Sequence, residues 1–325
     1  MHQDESKTET NPSRELHSWE RDALIQIAQA GLIEQRRARR WGIFFKLLGF
    51  AYLIAILILV VLPRSDDGNT ISKSRPAAAV IDIHGIIAAG EATEADSINR
   101  ALRQAFEADN IKGIILNLNS PGGSPVQAGR IYDEIMRLKA KHPDKPVYAV
   151  INDICASGGY YVAAAADEII ADRASIVGSI GVRMDSFGFV DSLEKLGVER
   201  RLLTAGENKA LMDPFLPIVP EQVDHLQTIL DNIHVQFIDA VRNGRGDRLI
   251  DDERIFSGLV WSGEQSLAIG LVDELGDIDM VLRDKLQLKH FVDMTPKKNP
   301  LERLFGQIET STIRIINNLF TPKLQ

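Results

Sequence analysis

Apolar positions follow two different rhythms along this chain. From Trp41 to Leu62 they are almost continuous, and Lys46 is the one charged residue among them. A helix of 22 residues rises roughly 33 Å, about the thickness of a bilayer's hydrocarbon core, so this stretch predicts one transmembrane helix. Lys46 lies near its N-terminal end, where the stem can carry the ammonium back to the headgroups at little cost. From Ala77 onward the rhythm changes to short β-branched runs separated by helical spacings. Residues 77–87, 111–118, 147–151, 168–171 and 198–203 predict strands. Between them, Ile98, Leu102, Ala105 and Phe106 mark one helix, residues 126–139 a second, and 160–166 a short third. Residues 221–241 predict a long helix with Leu226, Ile229, Leu230, Ile233, Phe237 and Val241 facing inward. Strands alternating with helices give an α/β domain on a largely parallel sheet.

The segments around these patterns set the expected organisation. Residues 1–40 form a charged arm with an amphipathic helical pattern at 19–33, and 63–76 read as a polar linker. Residues 77–288 are the globular domain, and 289–325 a tail. In that tail Leu301, Leu304, Phe305, Ile308, Ile315 and Leu319 trace a helical stripe suited to packing on protein, lying on a membrane or capping the domain. Arg36, Arg37, Arg39 and Arg40 precede the apolar run, while Arg64, Asp66 and Asp67 follow it. That bias places the N-terminus in the cytoplasm and the domain outside it. A cleavable signal peptide fits less well, because the apolar run is long, starts late and ends in Leu62-Pro63-Arg64 without a small-residue cleavage site.

Composition narrows the chemistry. A net charge of -8 argues against a general nucleic-acid binder, which needs a basic face. A single cysteine, Cys155, allows neither an intrachain disulfide nor a cysteine-rich zinc site. No HExxH, phosphate-binding or dinucleotide fingerprint occurs, so no metal or cofactor is implied.

Two glycine-rich loops fall at predicted strand ends, where parallel sheets place their ligand sites. One is Ser120-Pro121-Gly122-Gly123-Ser124 and the other Ala156-Ser157-Gly158-Gly159-Tyr160-Tyr161. A serine at a strand-to-helix junction exposes its hydroxyl while the N–H groups of the helix start point at the same spot. Ser157 is the candidate nucleophile. Gly123, supported by Gly122, and Gly158 are candidate donors to an oxyanion. A serine also needs a base. His2, His17, His84, His142, His225, His234 and His290 all lack motif context. A lysine can serve if burial and the absence of a paired carboxylate keep it neutral, but spacing alone does not single one out.

Five segments occur in one order: Asn119-Ser120-Pro121-Gly122-Gly123, Ala156-Ser157-Gly158-Gly159-Tyr160-Tyr161, Gly178-Ser179-Ile180-Gly181-Val182, Gly206-Glu207-Asn208-Lys209 and Gly270-Leu271-Val272-Asp273-Glu274-Leu275-Gly276. Together they resemble the short, single-repeat members of the S49 serine protease family, which are signal peptide peptidase and SohB-like proteins. The resemblance covers about residues 77–288. It implies a ClpP/crotonase-like fold of repeated ββα units behind the membrane helix. It also implies a Ser-Lys dyad in which Ser157 attacks and Lys209 is the general base, with Ser179 orienting the lysine and Gly123 and Gly158 forming the oxyanion hole. The implied substrates are apolar peptides such as remnant signal peptides. The implied assembly is a homo-oligomer whose lysine comes from a neighbouring subunit. Glu207 must then point away from Lys209, because pairing would keep the amine charged.

Overall fold

The structure, a computed structural model, describes residues 23, 25, 36–37, 39–55 and 75–296. The chain divides into two compact units, Met1–Ser65 and Asp66–Gln325. In the first, residues 39–55 form helix α1, with Trp41 packed against Phe44 and Phe45. Among the described residues no helix is long and apolar enough to cross a membrane. The expected span 41–62 is helical through 55, and 56–62 lie outside the described residues, as do most of the N-terminal arm, nearly all of the linker and the tail from 297.

The second unit is a mixed α/β fold around a central sheet. Three parallel strands form its middle: β1 (Ala77–His84), β2 (Ile111–Ser120) and β3 (Val147–Ala156). Their apolar residues are buried on both faces, as expected for a parallel sheet covered on two sides. Ala79, Ile81 and Ile83 meet helices α2 (Ala95–Glu107) and α3 (Pro125–Lys141) in the main core. On the other face Ala78, Val80, Ile115, Tyr148 and Val150 meet Val281 and Leu282 of the helical stretch Ile278–Lys285.

Strand β3 forks. Its first half pairs with β4 (Glu168–Ala171) and its end, Ile154–Ala156, with β5 (Ile176–Gly178). β5 in turn pairs antiparallel with β6 (Val260–Ser262). The short helix α4 (Gly158–Ala163) starts immediately beyond β3, and Tyr161 stacks on Phe237 of the long helix α6 (Pro220–Arg245) at 4.8 Å. Between β5 and α6 lie only the six-residue helix α5 (Val190–Lys195) and irregular backbone. The edge strand β7 (Phe291–Asp293) pairs with β1, so the sheet extends past position 288.

Two expectations are corrected. Residues 198–203 are not a strand. No neighbouring strand reaches them, and Leu203 is 98% exposed, so the apolar run has neither a hydrogen-bonding edge nor a core to enter. Helix α6 buries only Phe237, Ala240, Val241 and Arg245, all in its C-terminal part. Its stripe continues toward the N-terminus, but there the fold places no core beneath it, and Ile229 stays exposed.

Candidate active site

The two glycine-rich loops meet. β2 ends at Ser120, whose buried hydroxyl accepts from the Gly122 N–H at 3.1 Å. Gly122 and Gly123 then take φ of 101° and 151°, which glycine adopts without strain. Ser124 caps α3, with its side chain accepting from Gln127 N, and Pro125 opens the helix. Space demands glycine here as well. A Cβ on Gly122 would lie 2.7 Å from both Gly158 N and Ser157 Cβ, and one on Gly123 would lie 2.2 Å from Ile87 O.

Hydrogen bonding orients the donors. Ile87 N donates to Gly122 O and Ser124 N to Ile87 O, the alternation of a parallel bridge. Gly123 N, between them, therefore points to the opposite side. It lies 3.3 Å from where a Cβ on Gly158 would sit. Gly158 N belongs to the first turn of α4, whose N–H groups have no intrahelical partner. Two free donors thus converge beside one serine.

Ser157 is that serine. It is half-buried, stands at the N-cap of α4 and has φ 51° and ψ −125°, a strained backbone for a residue with a Cβ. Its N–H donates to Gly178 O at 2.9 Å, and its carbonyl accepts from Tyr161 N at 3.0 Å. The next residues anchor the turn: Gly159 packs against Ser120, and the Tyr160 hydroxyl donates to Leu271 O at 2.7 Å. Cys155 is no rival nucleophile, since complete burial pushes its thiol pKa up.

Ser179 follows from the same ladder. Ala156 pairs with Gly178, so Ser157 and Ser179 are each one residue beyond a paired position. Both line a cavity of ≈ 670 Å³ together with Gly122 and Gly123. Apolar walls come from Ile86, Val182, Leu230 and Phe256, and polar groups from Arg183, Gln227, Asp231 and His234.

Lys209 is elsewhere. It sits in a turn, its N–H donating to Gly206 O at 3.1 Å, and it is exposed and does not line the Ser157 cavity. Glu207 lines a different cavity, bounded also by Phe187, Thr204 and Ile218, and makes no ion pair with Lys209. The structure therefore gathers Ser157, Ser179, Gly123 and Gly158 but leaves Lys209 apart within one chain.

The sequence profile described as Peptidase family S49 matches residues 139–291. A "Probable protease SohB" of Haemophilus influenzae is 31% identical over 258 residues, covering 78% of this chain and 71% of that protein. The chain belongs to peptidase family S49. "Protease 4" of the same organism is 34% identical over 65% of this chain and 34% of its own length. A stretch of a Brucella melitensis protein named "Na(+)/H(+) antiporter NhaA" is 44% identical over 65% of this chain, yet it is only 30% of that protein. This S49 chain spans 30% of the first two curated relatives it matches and 57% of the third. The profile's span includes Ser157, Ser179 and Lys209, while Gly123 lies upstream of it.

Sequence reasoning set aside one residue that the fold brings to the Ser157 cavity. His234 lies on a helix more than 70 positions from Ser157, and nothing in its neighbours Ile233 and Val235 signals chemistry. The available signal was its place on α6, one turn beyond Leu230, on the side that meets the cavity.

Proposed function

We propose that this chain is a membrane-anchored serine endopeptidase of ClpP/crotonase-like architecture that cleaves apolar peptides, remnant signal peptides among them, at the extracytoplasmic face of a bacterial inner membrane. Ser157 attacks the scissile carbonyl, and the N–H groups of Gly123 and Gly158 hold the oxyanion of the tetrahedral intermediate. Lys209, as the neutral amine, takes the serine proton, delivers it to the leaving amine and then activates the hydrolytic water, and Ser179 orients the Lys209 amine. The observation that carries this reading is the convergence of two unengaged backbone donors on a strained serine at the mouth of a cavity.

The position of Lys209 supports an assembled enzyme. The amine is outside its own chain's Ser157 cavity, on a segment with Phe187, Leu203 and Ile218 exposed. A second copy packing on that segment would cover those side chains and carry Lys209 to a neighbouring Ser157. The reading of residues 41–62 as the membrane anchor rests on the sequence, and a C-terminal reporter fusion tests the topology: a cytoplasmic signal overturns it. The deciding experiment for the chemistry is a fluorophosphonate probe on the detergent-solubilised full chain. Labelling at Ser157 that disappears in Ser157→Ala, together with loss of hydrolysis of an apolar fluorogenic peptide, is expected. An assembled protein that resists the probe favours a second reading, an inactive scaffold, because a lone chain places no lysine in the cavity.

A further inference from the structure

We propose that His234 is a positioning residue of the Ser157 site, its imidazole holding the loop that carries Ser179. This rests on the reading of Ser157 and Ser179 as working groups. His234 Nε2 lies 3.2 Å from Ile180 O. A carbonyl only accepts, so Nε2 carries the proton and donates. Ile180 O also accepts from Gly258 N at 3.1 Å, which makes it a junction between α6 and the segment leading to β6.

The loop needs such a tie. Gly178 and Ser179 have φ of 108° and 52°, and a non-glycine residue keeps a left-handed conformation only where its surroundings over-determine it. One side is fixed: Ser179 N donates to Leu259 O at 2.7 Å, and Gly181 packs closely on Gly258, where a Cβ would lie 3.2 Å from Gly258 Cα. The other side opens on the cavity, and the contact across it comes from His234. Beyond Gly178 the chain leaves the sheet for irregular backbone. His234 therefore fixes the loop where the ladder no longer does. The same loop sets Ser157 directly, because Gly178 O accepts the Ser157 N–H. Displacing it moves the nucleophile and Ser179 together.

An imidazole in this cavity could instead be a proton carrier, and a substitution series separates the two roles. A glutamine in place of His234 keeps an N–H donor at similar reach without a titratable ring, whereas an alanine has none. In the full chain, His234→Ala is expected to lower kcat and the rate of Ser157 labelling about 10- to 100-fold, the scale of a small misplacement of reacting groups. KM should stay within about 3-fold and Tm within about 2 °C. His234→Gln should recover kcat to within about 5-fold of the parent. A His234→Ala enzyme with parental kcat and labelling overturns the proposal. So does a folded His234→Gln enzyme as slow as His234→Ala, which would make the ring a chemical participant. Activity that merely tracks Tm across the series overturns it in favour of a general structural role. A parent protein that fails to label at Ser157 brings down the underlying reading of the site, whereas labelling indifferent to position 234 brings down this inference alone.

Discussion

Ser157 and Ser179 stand at the same step of two adjacent parallel strands, each just past the Ala156–Gly178 pair and each with a left-handed φ, 51° and 52°. The ladder thus turns two distant sequence motifs into one side-by-side pair on a single cavity. Strain at both positions, of order 1–3 kcal/mol each, is held by the Ser157 N–H to Gly178 O and Ser179 N–H to Leu259 O bonds. If Ser179 orients the lysine, Ser179→Ala should reduce kcat by about 10- to 100-fold with little change in KM. Ser179→Gly would relieve the backbone strain yet remove the hydroxyl, so it should raise Tm and still be slow. Parental turnover in either variant sinks the assigned role.

The Gly122 conformation leads to a second prediction. A methyl group there meets Gly158 N and Ser157 Cβ at 2.7 Å, so Gly122→Ala must push the Ser157 turn away from the Gly123 N–H, and under the proposed mechanism it separates the nucleophile from its oxyanion donors. Loss of kcat by about 100- to 1,000-fold is expected, the scale of a missing oxyanion contact. Gly85 supplies the control. It also has positive φ, 85°, but nothing lies within 4 Å of its would-be Cβ. Gly85→Ala should cost about 1–2 kcal/mol in stability from backbone strain and leave kcat near the parental value. Steady-state kinetics and thermal melts on the two variants separate strain from displacement.

Local pattern made the central part of this fold legible. Ile114, Ile115, Leu116 and Leu118 announce a strand buried on both faces, and the glycines after it announce a turn that backbone must approach closely. Partnership was the hidden part. The fork of β3 depends on β5 and β6, three residues each, too short for any periodicity to show. Residues 198–203 carry the composition of a strand without the neighbour that would make them one. The stripe on α6 was visible, but its sequence does not say that only Phe237, Ala240 and Val241 find a core within this chain. His234 lacks any signal in its neighbours for the same reason, since its significance comes from Ile180, a residue 54 positions away.

The Gly270–Gly276 motif has a structural account that predicts acid sensitivity. Arg245, 1% exposed, donates to Asp273 through Nη1 at 2.6 Å and Nη2 at 2.8 Å and to Gly270 O through Nε at 2.9 Å. Asp273 also accepts from Ile169 N at 2.7 Å, which ties α6 to β4. Burial alone would raise the Asp273 pKa, but the hydrogen bonds from Arg245 and Ile169 outweigh it and hold the carboxyl below the usual carboxylate range. A depressed folded-state pKa contributes stability that is full above the unfolded value, about 3.9, and fades as pH falls through the folded value. Asp273→Asn leaves the guanidinium buried without its counter-charge and should cost about 3–5 kcal/mol at pH 7. Urea unfolding at pH 7 and pH 3 should show a smaller acid-induced loss in Asp273→Asn than in the parent. Equal losses would remove Asp273 as a source of acid sensitivity.

Whether Lys209 crosses between chains is decided by mixing. Ser157→Ala protomers retain the lysine and Lys209→Ala protomers retain the serine, and each alone should be inactive. If every site joins the serine of one copy to the lysine of the next, a random equimolar mixture contains intact sites at roughly one in four, so about a quarter of parental activity should return on co-expression. If the lysine bends back to its own serine, no mixed site is complete and nothing returns. The exposed position of Lys209, outside its own cavity, favours recovery. A Leu203→Glu substitution adds an independent check, because that side chain is 98% exposed and its loss costs a lone chain almost nothing. In an assembly that buries it, the charge should break the oligomer and abolish peptide hydrolysis together, with the protomer's Tm unchanged. Full activity in a monomeric Leu203→Glu protein would return the lysine to its own chain.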